Sequence, residues 1–255
     1  MWRPGLLIAR YTLVEALRSR LPWLFVLAAA AALALAGFLQ QLALTESGAT
    51  QAAIVSALLR PVAVFLLVSF VVFSLAREAA DKGQELLLAL PMPRAVYVLG
   101  KLAGFGALAL LPALLFGLLT CIWAAPAQSA LWAISLLGEL WIMAAFSLLC
   151  ALGLPHALPA LAASGGFYVL ARSVGSLQLL AHGSTGAHDG SRQAIAYAID
   201  TLALLLPNLD HFTRSGWLLY ATGDWQALGL VAAQTAIHVG LLAACALCDF
   251  YRKSF

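Results

Sequence analysis

Few residues in this sequence carry charge: Asp, Glu, Lys and Arg fill 10% of 255 positions, against about 25% in soluble domains. Hydrophobic residues fill 63%, and the mean hydropathy is +0.95, more apolar surface than a soluble fold can enclose. Alternation of apolar and polar residues is also missing, which excludes barrel strands. The apolar runs are instead continuous and rich in Ala and Leu, both good helix formers. The four cysteines, Cys121, Cys150, Cys245 and Cys248, fall within or at the ends of these runs, so they read as small packing residues rather than a disulfide framework. No Gly-x-x-x-x-Gly-Lys-[Ser/Thr] phosphate loop occurs: Gly100-Lys101 is followed by Leu102, and Ala95 stands where the first glycine belongs. A compact basic start is lacking too, since Arg3, Arg10, Arg18 and Arg20 are dispersed with Glu15 among them, and no cleaved signal is expected. The net charge of +3 is small and scattered, which argues against nucleic acid as a partner.

What is present sets the fold class. A helix needs ~20 apolar residues to cross a hydrocarbon core ~30 Å thick, at a rise of ~1.5 Å per residue. Six runs approach or exceed that length, at 22–39, 54–76, 98–123, 131–154, 157–181 and 226–248. They predict an all-α polytopic membrane protein with six transmembrane helices in a single domain, residues 1–255. With both termini cytoplasmic, the inner segments hold Arg3, Arg10, Arg18, Arg20, Arg77, Lys82, Arg94, Lys101, Arg252 and Lys253, and the outer loops hold Arg192 and Arg214. The positive-inside rule favours that orientation.

Three polar interruptions add detail. In residues 1–21, Trp2, Leu6, Ala9, Leu13 and Leu17 recur every three or four positions, with Arg3, Arg10, Glu15 and Arg18 off the stripe. This pattern suits an interfacial helix, or else a charged lead-in to the first span. Residues 77–97 form the most polar cytoplasmic stretch. Glu78 and Lys82 have the favourable i,i+4 order, Gly83 breaks that turn, and residues 84–90 suit a second short helix stopped by Pro91 and Pro93. This helix would place Leu86, Leu87 and Leu90 on one side, an apolar face in want of a partner. Residues 182–225 begin as a Gly- and Ser-rich loop, then repeat Ile195, Ile199, Leu202 and Leu206 before Pro207 and Asn208. They read as an outer-leaflet helical hairpin or a surface-lying amphipathic helix.

Ionisable groups inside the spans are the next candidates. Glu139 and Arg172 lie at matching depths in the fourth and fifth runs, and they are expected to form an ion pair, with Arg60 as a third member. Contact with a substrate is the rival role. His238, with Cys245 and Cys248 near the inner end of the last run, could mark a copper path. Two thiols on one helix do not complete a metal shell, however, so helix packing is the plainer role and no metal is expected. No cluster of His and acidic residues on one membrane face suggests a membrane-embedded enzyme.

An entry helix, six spans, a short amphipathic cytoplasmic helix after the second span and a broken hairpin before the sixth together resemble the type-2 permeases of ATP-binding-cassette exporters. Arg77 to Lys101, with Gly83-Gln-Glu-Leu-Leu-Leu-Ala-Leu-Pro91 and then Arg94, is similar to that family's coupling-helix segment. Within the family the chain looks most like bacterial permeases linked to maturation of multicopper enzymes such as nitrous oxide reductase. The resemblance implies a multi-pass protein of the bacterial inner membrane, working as a homodimer or paired permease in contact with membrane lipid. It implies that cytoplasmic ATPase subunits carry the ATP and Mg, with no cofactor bound by this chain. Glu78, Glu85, Leu86, Leu87, Leu90 and Arg94 would then couple to the ATPase. The expected activity is translocation of a substrate rather than catalysis. The alternative is a non-conducting mechanotransmitter that passes ATPase motion to a periplasmic maturation or assembly factor.

Overall fold

The computed structural model describes residues 3–42, 47–81, 93–183, 197–203 and 206–252, and among these no strand occurs. The helices are α1 (Arg3–Arg18), α2 (Leu21–Leu42), α3 (Ser47–Ala80), α4 (Arg94–Thr120), α5 (Pro126–Gly153), α6 (Ala157–Gly183), α7 (Ser215–Tyr220) and α8 (Trp225–Arg252). A helical stretch at 197–203 and a 3-10 turn, Leu209–His211, stand between α6 and α7. Helices α2 to α6 and α8 are long and apolar enough to cross a membrane, which makes the chain a multi-pass membrane protein. Each of the six expected runs coincides with one of them. The largest shift is in α3, which starts at Ser47 rather than at residue 54.

Proline sets several of the boundaries. Pro93 is extended, with φ −64° and ψ 136°, and α4 starts immediately after it. Pro126 opens α5, where its missing N–H costs nothing. Pro61 and Pro112 lie inside α3 and α4 and deprive the Ala57 and Leu108 carbonyls of their usual partners. Such interruptions are tolerated where neighbouring helices can compensate.

The centre of the bundle is α3 with α5, flanked by α4, whereas α2, α6 and α8 present most of their surface outward. That outer surface carries exposed Trp23, Leu118, Leu158, Leu179, Leu230 and Ile237, side chains suited to lipid contact. Two ends can be distinguished. The basic end gathers the α1–α2 junction, the α3 C-terminus, the α4 N-terminus and the end of α8. The opposite end carries the segment 206–223 and is called here the hairpin end.

Small residues bring the helices close together. A Cβ at Gly100 would meet the Gly5 carbonyl oxygen at 2.9 Å and Ile8 Cβ at 3.0 Å, and one at Gly104 would meet Thr12 Cβ at 2.7 Å and the Ala9 oxygen at 2.9 Å. Gly100 and Gly104 thus form a small-xxx-small face along which α1 lies directly on α4. In α1 the side turned inward is Ile8, Thr12 and Ala16, all buried. The stripe expected to face the membrane behaves differently: Leu6 and Leu17 are exposed and Leu13 is half-buried. The helix therefore has two apolar faces, one of small residues for protein and one of leucines turned outward.

Gly104→Leu should force α1 off α4 and destabilise the purified protein by about 1 to 3 kcal/mol, the usual range for overpacking. Gly37→Leu, at a position with nothing within 4 Å, should leave the thermal midpoint unchanged. Equal midpoints for the two variants would refute this packing.

Candidate functional site

At the hairpin end the chain leaves regular structure among membrane helices. The Leu206 N–H still donates to the Leu202 oxygen at 2.9 Å, Pro207 follows, and the backbone passes through the 3-10 turn to Thr213 before α7 begins. Backbone groups at such a break need partners from side chains, because hydrocarbon offers none. Three buried or half-buried residues of α5 and α6, namely Arg172, Ser135 and Gln128, meet that need, and Glu139 holds a side chain of the segment.

Arg172 of α6 donates through Nη1 to the Leu209 carbonyl, a short contact, and to the Phe212 carbonyl at 3.2 Å. Ser135 of α5 accepts from the Thr213 N–H through Oγ at 2.9 Å. One helical turn on, Glu139 Oε2 accepts from the Thr213 hydroxyl at 2.8 Å. Glu139 is fully buried, and Oε1 is left without a hydrogen-bond partner. Tyr168 of α6 and Arg60 of α3 are the other groups that act on this carboxyl. Arg60 does so from beyond salt-bridge distance, with its own Nη1 buried and unpartnered.

Thr213 is held in the left-handed region at φ 45°, unusual for a β-branched residue and a strain of about 1 to 3 kcal/mol. Its two hydrogen bonds to α5 hold it there. Gly138 makes room alongside: a Cβ there would meet Thr235 Oγ1 at 2.7 Å and Phe212 Cε1 at 3.3 Å. Glu139 lies 13 residues into α5, ~20 Å along the helix at its usual rise. The chain returns toward the α5 start, where the Gln128 side chain accepts from the Gly223 N–H at 3.0 Å and donates to its carbonyl at 3.2 Å. The segment from 206 to 223 is thus a wedge whose tip rests on Ser135 and Glu139 and whose exit is clamped by Gln128.

At the basic end, α3 and α4 flank residues 82–92, which lie outside the described residues. Glu78 of α3 and Lys101 of α4 form an ion pair at 2.5 Å, with side chains 16% and 7% exposed. Glu15 of α1 accepts from the Ser74 hydroxyl at 3.0 Å, joining α1 to α3. Arg94, the first residue of α4, donates to the Phe250 carbonyl at 3.1 Å and the Tyr251 carbonyl at 3.5 Å near the end of α8. Tyr97 stacks on Phe250 with ring centroids 5.6 Å apart. Four helices therefore meet in one cross-linked platform from which 82–92 emerges.

The structure redistributes the residues expected from sequence. Arg172 does not pair with Glu139; it is committed to two backbone carbonyls, and the cation that faces Glu139 is Arg60. Glu78 and Arg94, expected at the ATPase-coupling segment, link helices at its roots, Glu78 to Lys101 and Arg94 to the end of α8, while Lys82 lies outside the described residues. Glu85, Leu86, Leu87 and Leu90 lie outside the described residues, as does Ile195 of the expected hairpin. The break is wider than Pro207 and Asn208, running to Arg214, because Thr213 is anchored in a non-helical conformation. Sequence reasoning missed Ser135, Thr213 and Lys101. Ser135 and Glu139 do share a helix face at i,i+4, the one signal that a polar contact was to be made there. Among the described residues no three His, Cys, Asp or Glu side chains gather as metal ligands. Compared with models of known families and with curated proteins, the chain matches none.

If Arg172 serves backbone carbonyls, exchanging the charges in Glu139→Arg plus Arg172→Glu should not restore the protein level lost in either single variant. Thr213→Val should lower stability by about 1.5 to 3 kcal/mol, the range for a hydrogen bond to an ionisable partner, whereas Thr213→Ser should hold near wild type. Rescue by the exchanged pair would show that the two groups interact directly.

Proposed function

We propose that the chain is the transmembrane permease subunit of an ATP-binding-cassette transporter, driven by ATP hydrolysed on separate cytoplasmic subunits. The reading rests on the resemblance of residues 77–101 to a coupling-helix segment, and the observation that carries it further is the platform at the basic end. Force applied to a loop moves a membrane domain only if the loop's two roots are fixed to each other. Here the Glu78 to Lys101 ion pair joins those roots, and Arg94 ties the second root to α8. A push on Leu86, Leu87 and Leu90 would therefore reach α3, α4 and α8 together. In this reading the basic end faces the cytoplasm, α1 lies at the inner leaflet, the wedge occupies the outer leaflet, and two copies or a pair of similar permeases form the path between them.

One observation also favours the mechanotransmitter reading. Helix α3 runs from Ser47 through Pro61 to Ala80; it carries Glu78 at one end and packs against α7 and beside Glu139 at the other. Motion received at the platform is delivered to the wedge, where a periplasmic maturation factor would meet it. Crosslinks from residues 206–223 to a periplasmic protein, with no solute flux in vesicles, would select this reading over the first.

Leu86→Asp plus Leu90→Asp should reduce ATPase co-purification to background while leaving the permease in the membrane at its normal level. Full transport with intact co-purification in that variant would overturn the coupling assignment.

A further inference from the structure

The junction of α1, α2 and α3 at the basic end encloses an open groove of about 550 Å³, within the range of small-molecule sites, ~300 to 1,000 Å³. Its lining is sorted by polarity. The mouth is formed by Arg18 and Arg20 at the α1–α2 junction and by Arg77 near the end of α3, with Glu15 beside them. Deeper, the walls are Leu24 of α2 and Leu66, Phe70 and Phe73 of α3, with the Ser69 hydroxyl as the one polar group among them. From Arg77 to Leu66 is ~16 Å along α3 at the usual helical rise, so the groove changes from guanidinium to hydrocarbon over the upper part of an acyl chain.

Charges at the mouth do not cancel. Three arginines line the groove against one acid, Glu15, which accepts from the neutral Ser74 hydroxyl; in the adjoining cavity Glu78 is paired with Lys101 and Asp81 lies with Arg77. The Arg18 and Arg20 side chains are exposed and make no hydrogen bond or ion pair among the described residues. A free phosphate would use the mouth and leave the apolar walls bare. A zwitterionic lipid would fill the walls and bring its own cation toward three guanidinium groups.

We propose that this groove is a binding site for an anionic phospholipid, with its phosphate at Arg18, Arg20 and Arg77 and one acyl chain between α2 and α3. Anionic headgroups are drawn to basic clusters at helix ends, and an apolar slot beneath them converts a diffuse attraction into a defined site. The lipid would brace α1 and α2 against α3. This inference depends on the six membrane helices alone and not on the transport reading.

Native mass spectrometry of the full chain in detergent tests it, with phosphatidylglycerol, phosphatidylcholine or inorganic phosphate added. Phosphatidylglycerol should be retained as a stoichiometric adduct and phosphatidylcholine should not. Arg18→Gln plus Arg20→Gln should weaken retention about twenty-five-fold, from a factor of about five for each basic residue near an anionic group. Arg18→Lys plus Arg20→Lys should keep most of it. Leu66→Trp, which narrows the slot while leaving the arginines intact, should also weaken retention, a result that attraction to a charged surface alone would not give. Comparable size-exclusion profiles establish that the variants are folded. Equal retention of the two lipids, displacement of phosphatidylglycerol by equimolar phosphate, or indifference to both the glutamine and the tryptophan variants would each overturn the proposal.

Discussion

In a hydrocarbon surrounding, each peptide N–H and C=O must find its partner inside the protein, since leaving one bare costs several kcal/mol. A continuous helix satisfies that demand internally, which is why six long apolar segments can stand in lipid with little else to hold each one open. The demand becomes specific where a helix stops. Between Pro207 and Arg214 the backbone turns beside the middle of α5, and its orphaned groups are met by Arg172 and Ser135, while Glu139 holds the Thr213 hydroxyl. Arg172 is thus first of all a substitute for missing helical hydrogen bonds.

This explains what sequence could and could not reveal. Bilayer thickness imposes a length on apolar runs, so the spans are legible from hydropathy, and their ends move where a helix continues past its apolar run, most of all at the start of α3 at Ser47. The depth of Glu139 and Arg172 is legible by counting residues. Their partners are not, because each bonds to a segment about 40 to 75 residues away whose conformation depends on Thr213 adopting a positive φ that nothing in its side chain announces. Large side chains mislead in a different way. Leu6 and Leu17 are prominent in any periodicity count in α1, yet both are exposed, and the contact with α4 is made by Gly5, Ile8 and Thr12 against Gly100 and Gly104. In membranes, where leucine gains little by leaving lipid for protein, the small residues mark the interface.

The same physics links the two ends of the molecule. The platform at the basic end and the wedge at the hairpin end are both built from charged or polar side chains that cross between helices, and α3 belongs to each. Apolar contacts along the middle of the bundle, such as Phe25 on Phe116 and Phe70 on Phe105, are edge-to-face pairs. They fill space without fixing register as tightly as an ion pair does. Helix α3 is crosslinked by an ion pair at the basic end and packs against α7 at the other, so it touches both assemblies.

The close fit of α1 on α4 also has a consequence in time. The glycines that receive α1 lie roughly ninety residues after it in the chain, and synthesis adds about 5 to 20 residues per second. For several seconds the first helix exists without the surface it will occupy, while α2 and α3 are being inserted. An amphipathic helix can rest on a headgroup layer during such an interval. The two faces of α1 thus become usable at different times, the leucine face from the start and the inward face only once Gly100 and Gly104 have followed.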